Sequence, residues 1–205
     1  MTRILLTGFE PFAGESMNPT MAVVQRISAR SISGITLDTA ILPVDRARAA
    51  GALFTRVEAR LPDWVLMLGE AGGRARVTPE RVAINVDAYS IPDNAGHQPR
   101  DEPVVAGGPV AYFSTLPLRE LVARLDAAAI PAAVSNSAGT YLCNHVFYAL
   151  MHRVHERGLP LRGGFVHFPY AHEQVANKGA AVPSLSLDSM AEATGIMLET
   201  LRDAT

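Results

Sequence analysis

Apolar residues along this chain follow two alternating periods. Short, nearly continuous apolar runs, typical of buried strands, occur at about residues 3–7, 35–42, 64–69, 81–86, 131–135 and 164–168. Between these runs, apolar residues recur at helical spacing at about residues 19–30, 46–60, 117–129, 141–156 and 186–203. This alternation predicts an α/β fold, and we expect an α/β/α sandwich with a twisted, largely parallel sheet.

Two long stretches, residues 87–116 and 169–185, show neither period. Loops of that length in a compact domain are usually functional or buried in an interface. The first stretch is rich in Pro and Gly, and it is predicted to form either a lid or an oligomer contact. Because no repeat, low-complexity tract or linker interrupts the chain, residues 1–205 are predicted to form a single domain.

Composition narrows the class of protein. The formal net charge of −2 offers no bulk attraction for nucleic acid or for an anionic membrane. No apolar run approaches the length needed to cross a bilayer, and residues 1–6 are predicted to be a first strand rather than part of a signal peptide. The one cysteine leaves no internal disulfide and suits a reducing compartment. We therefore expect a cytoplasmic protein that binds neither nucleic acid nor membranes.

The single cysteine, Cys143, lies where a predicted strand gives way to a predicted helix. Apolar residues recur at helical spacing at Val146, Phe147, Leu150 and Met151, so Cys143 falls in or near the first helical turn. A thiol at that place feels the positive end of the helix dipole, which favours the thiolate. Most free cysteines are instead small buried hydrophobes, and position alone leaves both interpretations open.

A nucleophilic thiol needs a base, and the nearest histidine in the sequence is badly placed. Residues two apart on a helix lie about 200° apart around its axis, so His145 faces away from Cys143. His152 and His155 lie too far along the same helix to reach the thiol. Their spacing could hold a metal, but without a nearby carboxylate pair or second cysteine we predict a solvated face and no metal site.

His167 is better placed to act as the base. It ends a short apolar run, residues 163–168, that is stopped by Pro169 and predicts a buried strand. Ligands of α/β folds bind beyond the carboxyl ends of parallel strands. Because the Cys143 helix also begins after a predicted strand, both side chains can meet at that edge. A hydrogen-bonded core histidine is the alternative.

A base usually needs an orienting partner, and Glu80 is a candidate. It stands at the start of the predicted strand 81–86, after a loop that contains Gly69-Glu-Ala-Gly-Gly73. A carboxylate there is more often a solvated charge, and Arg81 beside it offers a pairing partner. The three residues together suggest a Cys–His–carboxylate hydrolase.

Eight segments of the chain, in order from residue 4 to about residue 190, carry the motifs of a known family. They are Leu6-Thr-Gly-Phe-Glu-Pro-Phe12 with Asn18-Pro19, Gly69-Glu-Ala-Gly-Gly-Arg74, Thr78-Pro-Glu-Arg-Val-Ala-Ile-Asn85, Ile91-Pro-Asp-Asn94, Gly107-Gly-Pro109, Ser137-Ala-Gly-Thr-Tyr-Leu-Cys-Asn-His145, Gly163-Gly-Phe-Val-His-Phe-Pro-Tyr170 and Pro183-Ser-Leu-Ser-Leu187. This ordered set resembles the pyroglutamyl peptidase I family, also called pyrrolidone-carboxylate peptidases. The resemblance implies a cysteine peptidase that removes N-terminal pyroglutamate (5-oxoproline) from peptides through a thioester acyl-enzyme.

The resemblance also assigns residues. By the pattern of the family, Glu80, Cys143 and His167 match its catalytic triad. The residues implied to bind the substrate are Phe9, Phe12, Asn18, Glu70, Tyr141 and Leu142. An aromatic clamp with few polar partners suits pyroglutamate, because its lactam is small and uncharged. No cofactor is implied, and the family is known for homo-oligomers, so a dimer or tetramer is expected.

Two departures from the family pattern bear on activity. Many relatives carry glutamine where Glu70 stands and arginine where Ser90 stands. If that arginine neutralises the oxyanion, its loss costs about 3–4 kcal/mol of transition-state stabilisation. One alternative is therefore a weak or silent member that binds N-terminally blocked peptides.

The other alternative is a phosphorylase-like α/β enzyme, since fold does not fix function. It would need a phosphate clamp, for which the candidate loops offer only Arg74, Arg76 and Arg81. The Gly8–Gly14 loop lacks the lysine and the glycine spacing of a phosphate cradle, and Glu15 follows it.

Overall fold

Strands and helices alternate along most of the chain in the computed structural model, which describes residues 1–176, 178 and 181–205. The strands are β1 (Thr2–Phe9), β2 (Ile35–Leu42), β3 (Trp64–Glu70), β4 (Thr78–Pro79), β5 (Val82–Ile84), β6 (Ala111–Phe113), β7 (Arg162–Phe168), β8 (Tyr170–Ala171) and β9 (Ser184–Leu185). The helices are α1 (Pro19–Ser28), α2 (Ala49–Arg60), α3 (Leu118–Ala127), α4 (Leu142–Arg157), α5 (His172–Val175) and α6 (Leu187–Asp203). The five helices predicted from the periodicity are therefore confirmed to within three residues at each end.

The central sheet has the strand order β2-β1-β3-β7-β4. Its first four strands run parallel, and β4 pairs antiparallel with β7 at the edge. The largely parallel sheet is thus confirmed. Two further sheets contain two strands each, β5 with β6 and β8 with β9.

Both faces of the central sheet are covered, and the alternation of side chains along each strand divides the core in two. Ile4 and Leu6 of β1 pack in a cluster with residues of α1, α3 and α6. Leu5, which points the other way, packs with residues of α2 and α4. Helices on two faces of a parallel sheet form the predicted α/β/α sandwich.

The prediction of a strand at residues 131–135 is wrong, although the backbone of this segment is hydrogen-bonded to a neighbouring segment. It lies beside residues 77–81, with amides of both segments donating to carbonyls of the other and isolated bridges at Val77–Ala132 and Glu80–Ser135. Pro79 stands in the middle of that neighbour and has no N–H to donate. The ladder is therefore interrupted and no regular strand forms.

The predicted strand 81–86 is shorter than expected and lies outside the central sheet. Only β5 forms there, and it pairs antiparallel with β6 from the end of the stretch 87–116. The stretch 169–185 was predicted to be irregular, but it contains β8, α5 and β9. Its residues 177, 179 and 180 lie outside the described residues. Among the residues that are described, no helix is long and apolar enough to cross a membrane.

Candidate active site

A pocket of about 190 Å³ opens where the carboxyl ends of β1, β3 and β7 meet. Parallel strands end at the same edge of a sheet, which is where α/β folds bind ligands. The pocket is lined by Phe9, Phe12, Asn18, Val44, Glu70, Ser90, Ile91, Tyr141, Leu142, Cys143 and His167. Its volume is below the range of pockets that hold drug-sized ligands, so it suits a single small ring.

Cys143 lies in the first turn of α4, as the periodicity predicts, and its side chain is half-buried at the pocket. The backbone of Gly69 in β3 runs directly beneath the thiol. A Cβ at Gly69 would lie 2.9 Å from Cys143 Sγ and 2.6 Å from the Phe165 ring. Only glycine therefore leaves room for the thiol between the helix and the sheet.

His167 faces the same layer of the sandwich as Cys143. Side chains two apart on a strand share a face, so His167 points with Phe165 toward α4. The ring is buried, and Nδ1 lies 2.7 Å from Glu80 Oε1. With Nδ1 engaged, Nε2 is the nitrogen left for the pocket. Within the described part of the chain, no hydrogen bond joins the ring to Cys143, but contacts between nucleophile and base are often loose without substrate.

Glu80 is fully buried and follows β4, so the alternative of a solvated charge is wrong. Its ion pair is with Arg74, whose Nη1 lies 2.6 Å from Oε1. Arg81, the neighbour in sequence, instead donates from Nε to Asn136. Successive residues of an extended chain point to opposite sides, so Arg81 cannot follow Glu80 inward.

The protonation of the site is set by burial and by these charges. Burial raises the pKa of Cys143 to about 12, and the negative charges of Glu80 and Glu70 act in the same direction. Burial therefore outweighs the helix start, which by itself favours the thiolate. Burial also lowers the pKa of His167, against the opposing effect of Glu80. A neutral thiol beside a neutral imidazole is the resulting pair.

Glu80 stays ionised despite its burial. Burial by itself would raise its pKa, but the hydrogen bonds with His167 and Arg74 outweigh burial and lower it. A carboxylate that accepts from Nδ1 fixes the tautomer of the imidazole and leaves Nε2 without a proton. The arrangement can therefore take a proton from a thiol.

The pocket walls are mainly aromatic and aliphatic. The ring of Tyr141 lies 6.0 Å from that of Phe12 and 4.4 Å from that of Tyr89, and its hydroxyl donates to Pro92 O. Phe9 is nearly buried against Phe165, with ring centroids 6.3 Å apart. Such walls favour an uncharged ring over a free ammonium group.

Asn18 and Glu70 supply polar groups to the pocket, but both are already engaged. Asn18 caps α1, accepting from the amide and hydroxyl of Thr20 while its Nδ2 donates to Glu10 O. Gln174 Nε2 donates to Glu70 Oε2 at 2.8 Å. Burial raises the pKa of Glu70, against the opposing effect of the hydrogen bond from Gln174.

Three lining residues, Val44, Ser90 and Ile91, have no counterpart among the predicted binding residues. Val44 follows β2 at the carboxyl edge of the sheet, and that position was the signal in the sequence that could have identified it as a pocket residue. Ser90 and Ile91 belong to the stretch 87–116, whose predicted role as a lid is consistent with this placement. Ser90 was singled out only as a departure from the family pattern.

The alternative sites have little support in the described residues. None of Arg74, Arg76 and Arg81 lines the pocket, so a phosphate clamp is not assembled there. Away from the pocket, ligand atoms of Asp45, Asp93 and His97 lie within 4.8 Å of one another. Asp93 already accepts hydrogen bonds from backbone amides, including that of His97. These turn hydrogen bonds account for the cluster without an ion.

Comparison with known proteins gives a consistent result. A family model described as pyroglutamyl peptidase matches residues 2–203. A pyrrolidone-carboxylate peptidase of Vibrio vulnificus is 46% identical over 200 residues, covering 98% of this chain and 92% of the relative. One of Bacillus licheniformis is 46% identical over 190 residues, covering 93% of this chain and 87% of the relative.

Solved structures agree with the sequence relatives. The crystal structure of Bacillus amyloliquefaciens pyroglutamyl peptidase I superposes with a TM-score of 0.95 at 40% identity, covering 99% of this chain and 98% of that one. Pyrrolidone carboxyl peptidase from Thermococcus litoralis gives a TM-score of 0.95 at 39% identity, covering 99% and 94%. The match extends over nearly the whole length in sequence and in structure, and the chain therefore belongs to the pyroglutamyl peptidase family.

Proposed function

We propose that this protein is a cysteine peptidase that hydrolyses the amide bond after an N-terminal pyroglutamyl residue. The observation that carries the proposal is the meeting of Cys143 and His167 in one small apolar pocket, with Glu80 on the far side of the imidazole. Family membership gives the same substrate, since the relatives are named for pyroglutamate.

The first half of the reaction transfers the acyl group to sulfur. Nε2 of His167 accepts the proton of the Cys143 thiol as Sγ attacks the pyroglutamyl carbonyl carbon. The carbonyl oxygen becomes an oxyanion, which is placed to accept from free amides in the first turn of α4. The C–N bond then breaks, and His167 returns the proton to the departing amine, leaving a thioester.

The second half hydrolyses that thioester. His167, neutral again, takes a proton from water as the oxygen attacks the thioester carbonyl. The C–S bond breaks, the imidazolium returns its proton to sulfur, and pyroglutamic acid leaves. Glu80 stabilises the imidazolium in both halves because its carboxylate stays bonded to Nδ1.

Specificity follows from the shape and polarity of the pocket. Phe12 and Tyr141 offer ring faces to the lactam, and a free N-terminal ammonium group would lose its hydration against these apolar walls. Glu70 and the amide of Asn18, two polar groups of the pocket, are already bonded to Gln174 and to Glu10 O. The enzyme should therefore require the closed lactam.

A matched set of substrates tests the proposal. Pyroglutamyl, glutaminyl and glutamyl amides of one fluorogenic coumarin are compared at equal concentrations. We expect hydrolysis of the pyroglutamyl amide and little of the other two, and Cys143→Ala should reduce the rate by about 10⁴-fold or more. Comparable cleavage of the open-chain substrates would contradict the pocket assignment, and turnover by a folded Cys143→Ala protein would contradict the mechanism.

We also propose that the protein is a cytoplasmic homo-oligomer. Support for assembly comes from β6 and the residue before it. Val110 is 87% exposed and Phe113 is 70% exposed, and among the described residues the strand is paired on one side only. No charge interrupts residues 107–114, so the exposed apolar side chains of this edge can pack against a second copy. Light scattering should give a mass above one chain, and Phe113→Glu should shift it toward 21.9 kDa.

The proposed compartment rests on the free thiol of Cys143, because a thiol needed for catalysis persists in a reducing environment. Fractionation of the producing cells would test it directly. Recovery of the activity outside the cytoplasm would overturn it.

A further inference from the structure

Arg74 is turned back toward the site by the two glycines that precede it. The turn follows β3 and is closed by the amide of Arg74, which donates to Ala71 O at 3.2 Å. Gly72 lies so close to Tyr170 that a Cβ would be 2.2 Å from its ring. Gly73 has a φ of +86°, which favours glycine. This backbone aims the Arg74 side chain inward.

The guanidinium of Arg74 contacts three residues in two separate segments. Nη1 donates to Glu80 Oε1 at 2.6 Å and also to the Thr78 hydroxyl. Nη2 donates to Ser137 O at 3.1 Å, in the loop that leads to Cys143. The guanidinium is therefore bonded both to residues 78–80, which carry the carboxylate, and to the segment that precedes the nucleophile.

Arg74 and His167 meet at the same carboxylate oxygen. Oε1 of Glu80 lies 2.6 Å from Arg74 Nη1 and 2.7 Å from His167 Nδ1, while Oε2 is buried without a hydrogen-bond partner among the described residues. An oxygen shared by two donors has its direction fixed by both of them. Arg74 is not among the lining residues of the pocket, so it does not face the substrate.

We propose that Arg74 is a positioning residue for the hydrolysis: it keeps the Glu80 carboxylate ionised and directed at His167 Nδ1. This inference rests on the proposed function. Without the cation, a fully buried carboxylate would take up a proton more readily, and it could no longer hold the Nδ1–H tautomer. The base would then present the wrong nitrogen, or a charged ring, to the thiol.

The charge of Arg74 acts on the Glu80–His167 pair as a unit. The other titratable groups beside the pair are Cys143 on α4 and Glu70 at the end of β3. Removing a positive charge next to a coupled pair raises the pH at which that pair binds its next proton. Loss of Arg74 should therefore move the acid limb of kcat/KM to higher pH, since the active form needs an ionised Glu80 and a neutral His167.

The test compares Arg74→Gln with Arg76→Gln, an exposed arginine of the same loop. With a pyroglutamyl coumarin amide, Arg74→Gln should lower kcat about 10- to 100-fold, leave KM within about twofold and shift the acid limb upward by about one pH unit. Arg74→Lys, which keeps the charge, should restore the position of the limb and part of kcat. Arg76→Gln should match the wild type in kcat, in KM and in the position of the acid limb.

A double-mutant cycle separates positioning from a general structural role. If Arg74 acts through Glu80, then Arg74→Gln should have little further effect on kcat in a Glu80→Gln background. Additive losses, an unchanged kcat, or a loss that falls entirely on KM would overturn the proposal. If Arg74→Gln fails to fold, Arg74→Lys takes its place. The pH of its acid limb in kcat/KM and a double-mutant cycle of Arg74→Lys with Glu80→Gln then decide the same question.

Titration of the His167 ring by NMR gives a readout that needs no turnover. Its midpoint should rise in Arg74→Gln and stay at the wild-type value in Arg76→Gln. A wild type that fails to cleave pyroglutamyl amides would refute the proposed function, yet the titration would still show whether Arg74 controls the pair. If the midpoint in Arg74→Gln equals that of the wild type, the proposed role of Arg74 is refuted, but the proposed peptidase function is not.

Discussion

Two histidines of this protein are held in almost the same way. Beside the pocket, His167 Nδ1 lies 2.7 Å from Glu80, which is paired with Arg74. Two residues after Cys143 on α4, His145 Nδ1 lies 2.8 Å from Asp87, whose second partner is an arginine, Arg46, at 2.7 Å. In both units the carboxylate is fully buried and one of its oxygens lacks a hydrogen-bond partner among the described residues.

The two units differ in what the imidazole can reach. His167 shares an apolar pocket with Cys143, whereas His145 is absent from that pocket. Asp87 instead joins α4 to the stretch 87–116, since its backbone pairs with Glu102 and its side chain holds both His145 and Arg46. A His–carboxylate–Arg arrangement is therefore not evidence of catalysis by itself, because it serves equally well to hold a helix against a loop.

The largest expected effect separates the two units directly. His167→Gln should reduce kcat/KM for a pyroglutamyl amide by about 10³-fold or more, because the thiol loses its base. His145→Gln should leave kcat/KM close to the wild-type value. Each change removes one partner of a buried carboxylate, so both should lower the free energy of unfolding by about 3 kcal/mol. Kinetics and urea unfolding of both variants would check this, and equal losses of activity would break the comparison.

The apolar pocket is the second difference, and Phe12→Ala tests its contribution. Removing this ring face should lower kcat/KM about 30-fold, since about 2 kcal/mol of apolar contact with the lactam is lost. Phe54→Ala, at a site remote from the pocket, is the control and should leave the kinetics unchanged. A Phe12→Ala enzyme with wild-type kinetics would show that the lactam binds elsewhere.

Ser90 lines the pocket at the position where many relatives are expected to carry arginine. If a guanidinium there can approach to about 3 Å from the oxyanion, Ser90→Arg should raise kcat about tenfold and alter KM less, because the charge it stabilises exists only in the transition state. Ser90→Gln is a matched control for side-chain length. An unchanged or lower kcat in Ser90→Arg would mean that another donor already serves the oxyanion.

The smallest expected effect concerns how kcat/KM varies with pH. Burial lowers the pKa of His167, and the ring accepts a proton only while neutral, so kcat/KM should fall only as pH drops below about 6.5. Because the pKa of Cys143 is raised to about 12, no increase tied to thiol ionisation should appear between about pH 7 and 9. Steady-state kinetics in a constant ionic-strength buffer would show this, and His145→Gln should leave the profile in place.

Much of the fold was predictable from the sequence, because helical and strand periodicities are local properties of the chain. The helices α1 to α4 and α6 and the strands β1, β2, β3 and β7 lie where apolar spacing predicts them. Geometry within one helix was also enough to predict that His145 faces away from Cys143. The ordered motifs, read as a resemblance, pointed to Glu80, Cys143 and His167 as a triad, and their catalytic roles remain predictions.

Tertiary structure decided the features that depend on which distant segments meet. It paired Glu80 with Arg74 across a glycine turn rather than with its neighbour Arg81, and it interrupted the ladder beside residues 131–135 through Pro79. Burial against the sheet also raised the pKa of Cys143, where the helix position alone suggested the reverse. Periodicity reports only which face of an element is apolar, whereas ion pairs and desolvation depend on atoms brought together from remote parts of the chain.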